Sequence, residues 1–312
     1  MGIGCYHCNS CSNHSKNEFQ EQHTLRELFL LKIIKIQSLI KGYLARKKYF
    51  KMKTRLKFIK YHSKELDLNL IEEGMKYVHG KLLNNEGIYY GFMKDNIKHG
   101  FGKQVWKDGT KFIGHWKDDK ANGYGKFIHA SGDIYKGNWE NDKANGNGIY
   151  LQRDGSKYEG EWKNDLQDGM GKDLWKDGSS YEGQYQAGLK HGKGCYRWPD
   201  GSIYIGEWHS NKISGEGTYQ WVDGRKYVGE WKNNCMHGKG IHTWPDGNVY
   251  EGIYENDDKN GYGIHRWPDG KRYEGYWKNG NQNCEGKLFV KDKLIKQGIW
   301  NDGLLIEESK SR

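Results

Sequence analysis

The chain of 312 residues has only three prolines and six cysteines, and no acidic residue between Leu28 and Lys64. No run of 18 apolar residues occurs, which excludes a helix that spans a bilayer. The N-terminus lacks the charged start and long apolar stretch of a secretory signal peptide. Three of the cysteines fall in the first 11 residues, so the set does not form the spaced framework that staples small secreted domains. An intracellular chain, soluble or peripherally attached, is the expectation. Aliphatic material is sparse as well: the hydrophobic fraction is 35% and the mean hydropathy is −1.02, which is poor for a thick core. Catalytic motifs are absent too. There is no G-x-x-x-x-G-K-[ST], no H-E-x-x-H, no G-x-S-x-G and no kinase signature. No catalytic residue, no cofactor and no resident metal is expected.

What is present is periodic. An aromatic-x-Gly unit begins at Phe112, Tyr135, Tyr158 and Tyr181, and it runs from Tyr89 to Tyr273 in steps of 23 residues. A Gly-x-Gly pair recurs in phase, as at Gly169/Gly171 and Gly215/Gly217, and an Asp-Gly follows, as at Asp177/Gly178. All three prolines, Pro199, Pro245 and Pro268, occupy one slot, in "WPDG". A fixed period of this length marks a repeat architecture. In "KYEGEW" the residues Tyr158, Gly160 and Trp162 share one parity and Lys157, Glu159 and Glu161 the other. Strand side chains alternate between faces, so one face should be aromatic and the other charged. Gly160, lacking a side chain, should leave room for rings from the neighbouring strand. "WPDG" suits a type I turn. The expected fold is all-β: an elongated single antiparallel sheet of β-hairpins with a 23-residue period, preceded by a basic α-helical segment.

These residues resemble the membrane occupation and recognition nexus (MORN) repeat, whose pattern is Y-x-G-x-W followed by H-G-x-G and D-G. The resemblance covers Tyr89 to about Gly303, as nine repeats and a degenerate tenth. The His of H-G-x-G survives at His99, His191 and His237 but is replaced elsewhere, which argues against a catalytic role. Nine hairpins at about 4.8 Å per strand give a sheet on the order of 85 Å long. Its aromatic face, with Tyr135, Trp139, Tyr158, Trp162, Tyr204, Trp208, Tyr227 and Trp231 on it, should form a stripe that receives a protein partner. The alternative is that the rings pack on one another and hold the sheet together.

The net charge of +10 belongs to one segment. Leu28 to Lys64 carries 12 Lys or Arg, which leaves 10 − 12 = −2 for the rest. "IQSLIKGYLARKKYF" within it resembles the IQ motif at Ile36, Gln37, Lys41, Gly42 and Arg46, followed by Tyr49. On a helix, Ile36, Leu39, Ile40, Tyr43 and Leu44 share one apolar face. The resemblance implies calmodulin or a related EF-hand protein as partner, with Gln37 gripping its backbone and Lys41 and Arg46 meeting its acidic surface. The same helix could instead dock on the first hairpins and cover the open sheet edge, or lie on an anionic membrane surface. Nucleic acid is not expected, because the repeats carry no basic stripe interleaved with aromatics.

Gly2 and Cys5 resemble the Met-Gly-x-x-Cys start of dually acylated proteins, although Tyr6 stands where a myristoylation signal usually has Ser or Thr. The rival is a metal site made of Cys5, His7, Cys8, Cys11 and His14, but no second pair of ligands follows at a suitable spacing. The expected organisation is a flexible N-terminus (1–24), a basic helix (25–61), a linker (62–88), the array (89–303) and a polar tail (304–312). Two non-enzymatic readings follow. One is a membrane-attached adaptor, by analogy with junctophilin-like tethers. The other is a structural component of a cilium or the cytoskeleton, by analogy with axonemal MORN proteins. Direct phospholipid binding ranks below both.

Overall fold

The computed structural model describes residues 74–83 and 87–309. The expected basic helix, the IQ residues and the acylation sites lie outside them. The described residues form twenty-one strands, from β1 (Lys76–Leu83) to β21 (Leu304–Glu308). Each pairs antiparallel with its sequence neighbour in one open sheet. No helix occurs among them. The period becomes a seven-residue strand and then a nine-residue one, as in β8 (Lys157–Lys163) and β9 (Leu166–Leu174).

Two kinds of turn join them. In the "WPDG" turns the Gly201 amide donates to the Trp198 carbonyl at 3.1 Å, closing the expected β-turn. The other connection has two residues that both take positive φ, such as Asn164 (51°) and Asp165 (71°). That is the type I′ hairpin, which Asn and Asp tolerate better than most residues. Its second residue also clasps the preceding repeat: Asp165 Oδ1 accepts the Ala144 amide at 2.7 Å, while its own amide donates to the Ala144 carbonyl at 3.0 Å.

A line of glycines crosses the sheet. Gly148 faces Gly160, Gly160 faces Gly171, and the row continues in both directions. The rings of the aromatic-x-Gly residues lie down on this line. A Cβ on Gly160 would stand 2.6 Å from the Tyr158 hydroxyl oxygen, and one on Gly171 would be 2.3 Å from it. The room left by Gly160 is therefore filled by its own strand's Tyr158, which reaches across to the next strand's Gly171. Each such hydroxyl then donates to the carbonyl three residues on, as from Tyr158 to Glu161 at 3.0 Å and from Tyr204 to Glu207 at 3.0 Å. Those carbonyls belong to the residues skipped where the register shifts, between Gly160/Trp162 and Gly206/Trp208. Phe112 has no hydroxyl, so its repeat lacks this bond.

The sheet outgrows the expected boundaries at both ends. β1 lies in the stretch expected as a linker and has neither glycine of the Gly-x-Gly pair, which hid it in the sequence. β21 lies in the expected polar tail, and its Leu305 pairs with Trp300 as Gln282 pairs with Trp277 one period earlier. The outer face is charged only in part. Ile205 (57% exposed), Val228 (42%) and Ile241 (43%) stand on it, in a cross-strand row that runs through Thr218. Glu161, on the face expected to be charged, accepts the Met170 amide at 2.9 Å and so helps hold the strand irregularity.

Phe112→Tyr should raise stability by about 1 kcal/mol by supplying the missing hydrogen bond, and Tyr204→Phe should lower it by about as much. Urea midpoints of the two variants check this; a midpoint unchanged in both would mean that the hydroxyl contributes nothing.

Candidate functional site: the aromatic face

The lying tyrosines link into a zipper. Tyr158 meets Trp162 of its own repeat edge-to-face at 5.1 Å and Tyr185 of the next at 5.4 Å. Tyr204 stands likewise between Trp208 (5.4 Å) and Trp231 (5.6 Å). Such pairs add about 0.5–1.5 kcal/mol each beyond the area they bury. Trp139, Trp162 and Trp231 also donate Nε1–H to the carbonyls of Gly125, Gly148 and Gly217.

The expected open stripe is thereby closed along its centre. Tyr135, Tyr158, Tyr204, Trp208, Tyr227 and Trp231 are all buried, because the glycine line lets the rings sink onto the backbone; Trp139 and Trp162 remain half-buried. These eight residues share one face, but six of them are core.

The surface left to a partner lies to one side. Trp175, Trp198, Trp221, Trp244 and Trp267 open the Asp-Gly turns and stay half-buried. Between them stand Tyr196, Tyr219, His242 and His265, and the rings form one column. Toward its C-terminal end they lie nearly parallel: Trp221–His242 at 5.2 Å and 12°, His242–Trp244 at 3.9 Å and 12°, His265–Trp267 at 4.3 Å and 11°. Of the three earlier turns the first has Trp106 in this slot but the next two have His129 and Gln152, so the unbroken column belongs to the later repeats.

Three lysines enter this face. The residue across the strand from the second aromatic is Ala121, Ala144, Gln167, Ile213, Met236, Gln282 or Leu305 where that aromatic is Trp. It is Lys98, Lys190 or Lys259 where the indole is replaced by Met93, Tyr185 or Tyr254. The lysine stem fills the volume that the indole leaves, and its ammonium lies over neighbouring rings. Lys98 is 4.1 Å from the centre of Trp116, Lys190 4.8 Å from Trp175, and Lys259 4.7 Å from Trp277. Lys259 also donates to His265 Nδ1 at 3.1 Å, which leaves His265 Nε2–H for Asn248 Oδ1 at 3.2 Å. His265 is therefore the neutral Nε2–H tautomer. Burial, reinforced by nearby cations, holds His242 and His265 down at about 4, and burial pushes Lys259 down to about 8. Burial also lowers Lys190, opposed by Asp173, and raises Asp173 against the hydrogen bond from Tyr185.

The residues Ile36, Gln37, Leu39, Ile40, Lys41, Gly42, Tyr43, Leu44, Arg46, Tyr49, Gly2 and Cys5 lie outside the described residues. The lysines and the Trp column escaped the sequence reading, yet each occupies one slot of the 23-residue frame. Aligning the repeats by slot would have found them.

Comparisons with known proteins agree with this frame. The MORN repeat model matches nine times, from residues 89–111 to residues 273–288. The IQ calmodulin-binding motif matches residues 32–50. No curated protein matches the chain. Among solved structures, the SAS-4 (dCPAP) TCP domain of Drosophila melanogaster, in complex with a proline-rich motif of Ana2 (dSTIL), is 17% identical. It covers 56% of this chain and 89% of its own, with a TM-score of 0.29. A point mutant of the TCP10 domain of Danio rerio CPAP is 14% identical, covering 64% of this chain and 99% of its own, with a TM-score of 0.25. Scores this low bear on neither fold nor function here. MORN and IQ units are binding modules rather than catalytic ones.

The two histidines make stability depend on pH. Unfolded, they titrate near 6.5; folded, near 4. Between those values the unfolded chain binds more protons, so stability is full above about 6.5 and is lost as the pH falls toward 4. The thermal midpoint should fall across that window, and less so in His242→Phe, which keeps a flat ring in the column. A fall of equal size in that variant would exclude His242 as a cause.

Proposed function

Because the chain belongs to the MORN-repeat family, in which the array is a binding module, we propose that it is a non-enzymatic adaptor. Its IQ segment binds calmodulin or a related EF-hand protein. The aromatic face receives an extended protein segment along the Trp column. Acylation at Gly2 and Cys5, with the basic run from Leu28 to Lys64, attaches the chain to the cytoplasmic face of a membrane, since one acyl chain alone anchors only marginally. The observation that carries the reading is the asymmetry of the aromatic face. Its central rings are spent on packing, whereas the turn tryptophans keep part of their surface in solvent. Partly exposed, aligned aromatic surface of that kind suits an interface.

The partner-side predictions are direct. Full-length chain should be retained on immobilised calmodulin, and alanine at both Ile36 and Gln37 should abolish retention; unchanged retention would remove the IQ segment from the proposal. In fractionated cells the wild type should dissolve in detergent, and Gly2→Ala should be soluble without it. If both remain in a pellet that resists detergent and salt, the chain is a cytoskeletal or ciliary component and acylation is not its anchor.

A further inference from the structure

Because the array repeats its geometry every 23 residues, sites three periods apart can be superposed by residue number. Tyr185 and Tyr254 are such a pair, each standing where most repeats have Trp, and each faces a lysine, Lys190 or Lys259. The third member of the constellation differs. In the earlier copy it is Asp173, whose carboxylate accepts the Tyr185 hydroxyl and lies close enough to Lys190 to favour its charge. Three periods later that position is His242.

The exchange leaves the later copy without its anion. The Tyr254 hydroxyl and His242 Nε2 are both buried and make no hydrogen bond among the described residues. Lys259 forms no ion pair with a carboxylate among those residues; its one hydrogen-bonding partner is His265. Leaving buried polar groups unpaired is costly, so the cluster is poised for a group that accepts several hydrogen bonds. Three groups are available: the Tyr254 O–H and the Lys259 ammonium as donors, and His242 Nε2, which donates in the Nε2–H tautomer. The earlier copy shows what such a place takes.

We propose that Tyr254, His242 and Lys259 form a receptor for the carboxylate of an Asp or Glu side chain, supplied by an acidic protein segment lying along the Trp column. The inference rests on the aromatic face being a partner-binding surface, and it adds the chemistry that surface selects. The bound carboxylate supplies the negative charge that Asp173 supplies internally in the earlier copy, while the flanking residues of the segment lie against Trp244 and Trp221. A basic or uncharged segment gains nothing there, because it leaves the three groups unpaired.

Random peptides of about twelve residues, a length that spans a face of this kind, are displayed on phage and selected on the full-length chain. Peptides whose binding is weakened by Trp221→Ala are the aromatic-face set. Their sequences should share one acidic position, and Asn or Gln there should weaken binding about tenfold or more, the scale of a lost charge-assisted hydrogen bond. His242→Asp, which supplies an internal carboxylate, should weaken the same peptides as much while raising the thermal midpoint. Lys259→Met, which keeps the stem over the rings, should weaken them too. Aromatic-face peptides with no shared acidic residue, or indifferent to His242→Asp and Lys259→Met, overturn the carboxylate receptor and leave the partner-binding face standing. Failure to recover any aromatic-face peptide overturns both.

Discussion

The structure depends on one contact: a tyrosine ring lying flat on two glycines of adjacent strands. A Cβ on Gly206 or Gly217 would come within 2.4 Å of the Tyr204 hydroxyl oxygen, so neither position tolerates a larger residue with the ring in place. With the ring down, its hydroxyl reaches the carbonyl that the register shift skips, and the shift becomes a supported feature of every Tyr repeat. With the ring down, too, its faces and edges are presented to the second aromatic of its own repeat and of the next. A chain with few aliphatic residues thereby acquires a continuous core one ring thick, in which each repeat contacts mainly its neighbours, as solenoids do.

The same economy explains the lysines. Removing an indole from the zipper would leave a void, and voids in a packed core are costly. In all three places where the indole is missing, a lysine stem occupies the gap and its ammonium rests on the rings beyond. Cation–π contacts of this sort contribute about 0.5–2 kcal/mol, which offsets part of the desolvation that pushes Lys259 down to about 8. A packing device thus brings positive charge into an aromatic face. Whether that charge is balanced internally, as by Asp173, or left for a partner depends on a single residue of the repeat.

The two ends of the array also differ. The turn slot holds Trp at five consecutive positions from Trp175 to Trp267, whereas earlier Trp106 is followed by His129 and Gln152. The stacked column, the two buried histidines and the unpaired Tyr254 all lie in the later repeats, so the repeats share a scaffold without sharing a surface.

The 23-residue spacing, the alternation in "KYEGEW" and the "WPDG" turns determined the sheet, its hairpins and the identity of its aromatic face, because strand parity and turn chemistry are local properties. The type I′ turns at pairs such as Asn164/Asp165, and the clasp of their side chains on the preceding repeat, came from the structure. β1 could not be read locally: without the glycine pair it is a strand only because β2 (Gly87–Lys94) offers an edge. Which aromatics are buried was likewise a tertiary decision. Tyr158 and Trp175 look alike in sequence as rings of one parity, but one lies on the glycine line and the other beside it. The unpaired groups at Tyr254 and His242 belong to the same class. They emerge only when strands distant in sequence are laid side by side, because an unsatisfied group is defined by what its neighbours fail to supply.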